Sequence, residues 1–178
     1  MKRISIITLL ALVGTFGLQA QSSDLPRSGF QRSQLLFSPV YLFDATFMMS
    51  YEQPLSRSGA LRITPSITLE DNGYDSREGF GIDLGYKVFL LRNSRVINFY
   101  VGPYAYYNHL KSTGSYNYNR LYYRDTLGFG IDTGVKCIFG RFVIDFTLGG
   151  GIKYPLNANS NEYKGIAPRA NLMFGVTL

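Results

Sequence analysis

His109 is the only histidine in this 178-residue chain, and Cys137 is the only cysteine. Acid–base or nucleophilic chemistry would have to run through a partner placed against one of them. The nearest downstream serine is Ser112. Three residues apart on a strand, the two side chains point to opposite faces, so the spacing does not build a nucleophile and its base. One His and one Cys far apart in sequence do not make a zinc site either. Glu70, Asp71, Asp75 and Glu78 form an acidic stretch, but they lack the alternating acids before a glycine that mark a calcium loop. The expectation is therefore no catalytic residues, no metal ligands and no cofactor: the chain does not read as an enzyme.

A second set of charges is more informative. Glu52, Arg62, Asp83, Lys87, Asp132, Lys136, Asp145, Lys153 and Arg169 recur with a regular relation to their neighbours. In GFGIDLGYKVFL (79–90), Phe80, Ile82, Leu84, Tyr86 and Val88 occupy one parity, and Gly79, Gly81, Asp83, Gly85 and Lys87 the other. GFGIDTGVKCIF (128–139) nearly repeats it, with Asp132 and Lys136 in place of Asp83 and Lys87. A period of two is a strand with one greasy face and one face of glycine and charge. The same alternation runs through 60–70, 96–108, 141–154 and 168–178, so the charges above share one face of one sheet. Duplication of a hairpin and convergence on a common constraint explain the repeat equally well. No stretch after the first twenty residues sustains a helical period, so the fold class is all-β.

Two architectures could use such strands. A soluble sandwich or lipocalin-like barrel turns its apolar parity inward, whereas a transmembrane barrel turns it toward lipid. Glycine on the polar face suits a narrow lumen. Strands of roughly ten to fourteen residues exceed the usual globular length of about five or six, and the 14 Tyr and 13 Phe gather near strand ends like interfacial girdles. The reading is an eight-stranded antiparallel up-and-down transmembrane β-barrel. Residues 1–20, with Lys2 and Arg3 ahead of an apolar run, read as a cleaved secretory signal, 21–32 as a short periplasmic segment and 33–178 as the barrel. Without Lys2 and Arg3 the 18 basic residues become 16 against 12 acidic, a mild excess without clustering. A single cysteine excludes an internal disulfide, and on the lipid-facing parity Cys137 reads as a small hydrophobe.

Connections set the direction. Residues 55–59, 92–95 and 139–141 are tight, whereas 70–79, 109–124 and 155–168 are long and polar, as periplasmic turns and outer loops are. Strands then start near Ala45, Ala60, Gly79, Val96, Asp125, Arg141 and Pro168. An eighth is required by parity, at 33–43, where Pro39 suggests an edge or bulged strand. The nine inward charges would pair across a lumen just wide enough for side chains; the same-strand spacings Asp83/Lys87 and Asp132/Lys136 suggest the pairs. Tyr116, Tyr118, Arg120, Tyr122 and Tyr123 would offer contacts on an outer loop.

FSPVYLFDATFMMSYEQPLS, through Phe37, Pro39, Ser50, Tyr51, Glu52 and Leu55, resembles the opening of small OmpA-like outer-membrane β-barrel proteins that lack a periplasmic domain; Ser38 stands where they usually carry Asn. GYDSREGFGIDLGYKVFL and FYVGPYAYY are similar to their third and fourth strands. The resemblance implies an eight-stranded barrel in a Gram-negative outer membrane and no particular activity. Expected partners are outer-membrane lipid and lipopolysaccharide, the barrel-assembly machinery, and an extracellular ligand or protein at the loops. Export argues against nucleic acid. The role expected is structural or surface-interactive, with a narrow pore and a lipid-modifying enzyme as the alternatives. The topology predicts that protease added to whole cells cuts near Lys111, Arg120 or Lys164 and spares Arg57, Arg92 and Arg95; mass spectrometry of the released peptides checks this, and the reverse pattern would invert the orientation.

Overall fold

A computed structural model describes residues 32–56, 58–71, 75–90, 96–114, 120–157 and 164–178, with side chains for all of these but 75, 113, 114 and 120–122. Residues 1–20, the expected leader, and 21–31 of the expected periplasmic segment lie outside the described residues. Eight antiparallel strands each pair with the next, and β1 pairs with β8 to close a barrel. They are β1 (Gln34–Phe37), β2 (Thr46–Pro54), β3 (Gly59–Asp71), β4 (Asp75–Phe89), β5 (Ile97–Gly114), β6 (Arg120–Phe139), β7 (Phe142–Pro155) and β8 (Gly165–Thr177). Between β1 and β2 lies a 3-10 turn, Val40–Asp44.

Alternation in sequence becomes alternation in exposure. On β4, Phe80, Ile82, Leu84 and Val88 face outward, while Asp83 and Lys87 are buried inside. The outward set continues through Ile97, Phe99, Val101, Phe129, Ile131, Phe146 and Leu148 into a continuous apolar surface. Soluble monomers rarely expose apolar patches beyond a few hundred Å². Tight turns join β6 to β7, where Gly140 takes the positive φ of 64° required at the first position of a two-residue hairpin turn.

Three boundaries differ from the sequence reading. β1 is four residues long and is no edge, since β2 and β8 flank it. Pro39, with no N–H to give a ladder, ends it, and the chain turns through the 3-10 segment to Ala45, whose φ of 48° caps it. Second, β4, β6 and β8 start earlier than Gly79, Asp125 and Pro168. The polar stretches assigned to loops continue as paired strand, with Arg77 opposite Glu70 and Lys111 opposite Glu78. Beyond an apolar environment a strand needs no greasy face, so its period disappears from the sequence while its hydrogen bonds persist. Third, the inward parity is not polar throughout. At the turn end Leu36, Ala60, Phe89, Tyr100, Ile138, Val143 and Met173 pack into an apolar core across the lumen.

Strands approach closely at Gly102, where a Cβ would overlap the Tyr86 carbonyl oxygen, whereas nothing lies near a Cβ at Gly150. Gly102→Ala is expected to cost about 1–3 kcal/mol, the usual range for overpacking. Gly150→Ala should stay within about 0.5 kcal/mol of the parent, as open surface sites do. Urea unfolding of the refolded variants measures both, and equal stability would mean the approach at Gly102 is not limiting.

Candidate functional site: charged layers in the lumen

Above the apolar core the lumen holds two stacked layers of charge, each with two acids and two bases. The first joins Glu52 on β2, Lys87 on β4, Lys136 on β6 and Asp145 on β7. Lys87 Nζ lies 2.8 Å from Glu52 Oε2 and also contacts Asp145. Lys136 contacts Glu52, sits 3.4 Å from Asp145 and donates to Gln34 Oε1 at 2.8 Å. The Tyr100 hydroxyl donates to Asp145 Oδ1 at 2.6 Å, and the Lys87 ammonium sits 4.4 Å from the Tyr100 ring centroid. All four charged residues are at most 3% exposed.

The second layer, nearer the loop end, joins Arg62 on β3, Asp83 on β4, Asp132 on β6 and Arg169 on β8. Arg62 Nη2 donates to Asp132 at 2.8 Å and to Asp83 at 3.3 Å. Arg169 Nη1 donates to Asp83 at 2.6 Å, its Nε lies 3.4 Å from Asp132, and its guanidinium covers the Tyr104 ring at 4.2 Å. Each guanidinium bridges two carboxylates, a use that suits the planar fork of Arg better than Lys.

The pairs are not those suggested by spacing. Asp83 meets Arg62 and Arg169 rather than Lys87, and Asp132 meets the same two arginines rather than Lys136. Four residues along a strand span roughly 13 Å at about 3.3 Å each, beyond salt-bridge reach. Partners come instead from the neighbouring strand, as in Arg62–Asp83 and Lys136–Asp145, and from strands across the lumen, as in Lys87–Asp145 and Arg169–Asp83. Lys153 lies farther toward the loop end, half-buried, opposite Gly128 and Gly165.

His109 has a partner that the search for a nearby serine did not find. It pairs in register with Asp125 on β6, and its Nδ1 lies 2.6 Å from Asp125 Oδ1. Tyr107 donates to the same oxygen at 2.7 Å and Asn157 to the other at 2.6 Å. The imidazole is flanked by Phe80 and Tyr123. This cluster faces outward near the loop end and fixes the ring; among the described residues no serine or threonine hydroxyl hydrogen-bonds it. Only a cross-strand register could have revealed it. Cys137 is half-buried between the outward-facing Ile97 and Ile144. Glu70 and Glu78 lie 3.3 Å from Arg77 and 3.5 Å from Lys111. Of the loop residues, Tyr116 and Tyr118 lie outside the described residues, Arg120 and Tyr122 belong to β6, and Tyr123 is exposed beside His109.

Above the second layer the lumen opens into a cup of about 270 Å³ at the loop end. Tyr41, Thr46, Thr64, Ser66, Tyr104, Tyr106 and Asn108 line it over a floor that includes Asp83 and Arg169.

No family model matches the chain, and no curated protein does. Solved structures do. The N-terminal β-barrel domain of Pseudomonas aeruginosa OprF aligns over 83% of this chain and 98% of its own, at 15% identity and a TM-score of 0.57. Ail, the attachment invasion locus protein of Yersinia pestis, covers 83% and 97% at 9% identity, TM-score 0.49. Neisserial surface protein A covers 82% and 92% at 14% identity, TM-score 0.46. The chain shares the fold of the OprF domain, and with it the eight-stranded architecture that the sequence resemblance implied.

Removing one member of a buried ion cluster typically costs about 3–5 kcal/mol, because its partner stays buried and uncompensated. Asp132→Ala should approach that figure. In double-mutant cycles, Asp132→Asn should couple to Arg169→Gln by about 0.5–3 kcal/mol and combine with Lys136→Gln additively to within about 0.5 kcal/mol. Equal coupling to both would mean that the layers act as one network.

Proposed function

We propose that the chain is an integral outer-membrane protein with a structural or surface-interaction role, no catalysis and a lumen that does not conduct. The observation that carries this reading is the lumen itself, where eight charges in two balanced layers, all buried but the partly buried Arg169, sit on an apolar core. An open path for ions would need water where these side chains lie. The outward apolar surface supports a lipid environment, since a Lys or Arg at the midplane of that face would cost about 2–4 kcal/mol and the charges of both layers point the other way. Outer-membrane lipid and lipopolysaccharide would surround the wall, and the barrel-assembly machinery would insert it. The paired strands that project beyond the apolar surface would carry contacts with an extracellular ligand or protein.

His109 and Asp125 supply a base and its orienting acid but no nucleophile, which favours an interfacial anchor over hydrolysis. The rings of Tyr107, Tyr123 and Phe80 around the pair suit the aromatic belt at a membrane surface. Two measurements test the proposal. The unboiled refolded protein should migrate differently from the boiled one in a detergent gel, and the folded form should give no steady conductance across a planar bilayer. Stable single-channel openings from the folded form would favour the pore instead.

A further inference from the structure

The barrel wall is incomplete as a sheet at one place. β1 stops at Phe37, opposite Phe174, but β8 continues to Gly165 with β7 as its only strand partner among the described residues. There the wall between β8 and β2 is completed by the segment 38–45, which the Ser38 N–H joins to the Met48 carbonyl of β2 at 3.1 Å and which side-chain contacts, not a ladder, join to β8. Ser38 Oγ donates to Asn171 Oδ1 at 2.5 Å and lies 3.2 Å from the Leu172 carbonyl oxygen. Pro168, which has no N–H to offer, sits in this stretch of β8. A row of donors interrupted by proline is a poor template for strand addition by a second chain.

The cup lies behind this seam. Tyr41 and Asp44 from the turn segment, Thr46 from β2, and Ala167, Pro168 and Arg169 from β8 are all among its lining residues. Outside, the seam is bordered by Val40, Leu42 and Phe43 of the turn and Ile166 of β8, with Phe43 96% and Ile166 84% exposed. A chamber that carries hydroxyl, amide and phenol groups and an apolar ledge thus meet at a stretch of wall that, among the described residues, no strand ladder closes.

We propose that this seam is a lateral portal from the outer leaflet, and that the cup takes the uncharged, polyhydroxylated head of a single-chain amphiphile whose tail lies along Val40, Leu42, Phe43 and Ile166. The proposal rests on the bilayer reading above. The cup, about 270 Å³, is small beside the roughly 300–1,000 Å³ of pockets that enclose entire ligands, and so suits the head better than the whole amphiphile. Hydroxyl and amide side chains at Thr46, Thr64, Ser66, Thr68 and Asn108 can donate or accept, as sugar hydroxyls require. Tyr106, half-buried and stacked on Tyr104 with centroids 6.2 Å apart, offers the flat apolar surface that a sugar ring also needs. The floor selects against a charged head, because Arg169 and Asp83 already neutralise each other at 2.6 Å.

The test uses the full chain refolded in lipid nanodiscs, with amide NMR as the readout. Octyl glucoside, kept below the concentration that dissolves the disc, should shift the amides of Thr46, Ala167 and Arg169 saturably. Glucose should need at least tenfold more to do the same, and octanol should not produce those shifts. Ala167→Trp, which fills the cup, should abolish saturation while keeping the unboiled gel shift. Glucose as effective as the glucoside would mean that the cup fills from the aqueous side, and it would overturn the portal. Octanol reproducing the shifts, or no saturable shift at all, would overturn recognition of the head. A parent chain whose gel migration does not change on boiling would sink the barrel-in-bilayer reading and the portal with it.

Discussion

Closing eight strands into a barrel leaves an interior about as wide as two opposing side chains, and that width governs the rest of this molecule. Everything on the inward parity must fit against something from the far wall. A charge placed there cannot reach solvent by bending away, so it must find an opposite charge at its own depth. The two layers satisfy that condition with matched numbers of acids and bases. Glycine does the complementary work on the same face: at Gly85 a side chain would crowd the Arg62 guanidinium that bridges Asp83 and Asp132. At the turn end, where the inward residues are apolar, Phe89 and Tyr100 meet edge-on and pack the interior without charge.

Much of this is legible in the sequence because a strand's period is local. The parity of Phe80 through Val88 follows from residue types alone, as does the glycine-and-charge face opposite. The pairing of the charges is not legible in this way, because it depends on the stagger between strands, most of them not neighbours in the chain. Arg62 meets Asp132 across the lumen, and no window around either residue contains the other. The His109–Asp125 pair is hidden for the same reason, although its strands are adjacent, since a register must be known before two positions sixteen residues apart can be placed side by side. Strand ends are hidden where the sequence turns polar, at Asp75 and Arg120, because alternation marks an apolar surface and not the ladder itself.

The short first strand shows how one residue reshapes a wall. Pro39 stops β1 after a single row of ladder bonds to each neighbour, and a 3-10 turn takes over the span that a longer strand would have filled. Tyr41 turns toward the cup and Phe43 outward, so even this irregular segment keeps an inside and an outside. Toward β8 the closure it provides depends on side-chain hydrogen bonds from Ser38, which are fewer than a ladder would supply.

The long reach of the ion pairs has a kinetic consequence. Lys87 and Asp145 are 58 residues apart in the chain, Arg62 and Asp132 70, Lys136 and Glu52 84, and Arg169 and Asp83 86. No hairpin contains both members of any of these pairs. A single hairpin compensates only part of its charge, through Arg62–Asp83 at 3.3 Å on β3 and β4 or Lys136–Asp145 at 3.4 Å on β6 and β7, and the shorter contacts form only when strands from both halves of the chain face each other. Contacts this remote in sequence make folding slow, because loop-closure entropy is spent before the contacts form. Partly inserted forms are therefore penalised, and the last strand to arrive supplies Arg169, which completes the outer layer. Insertion and closure are tied together as one cooperative event.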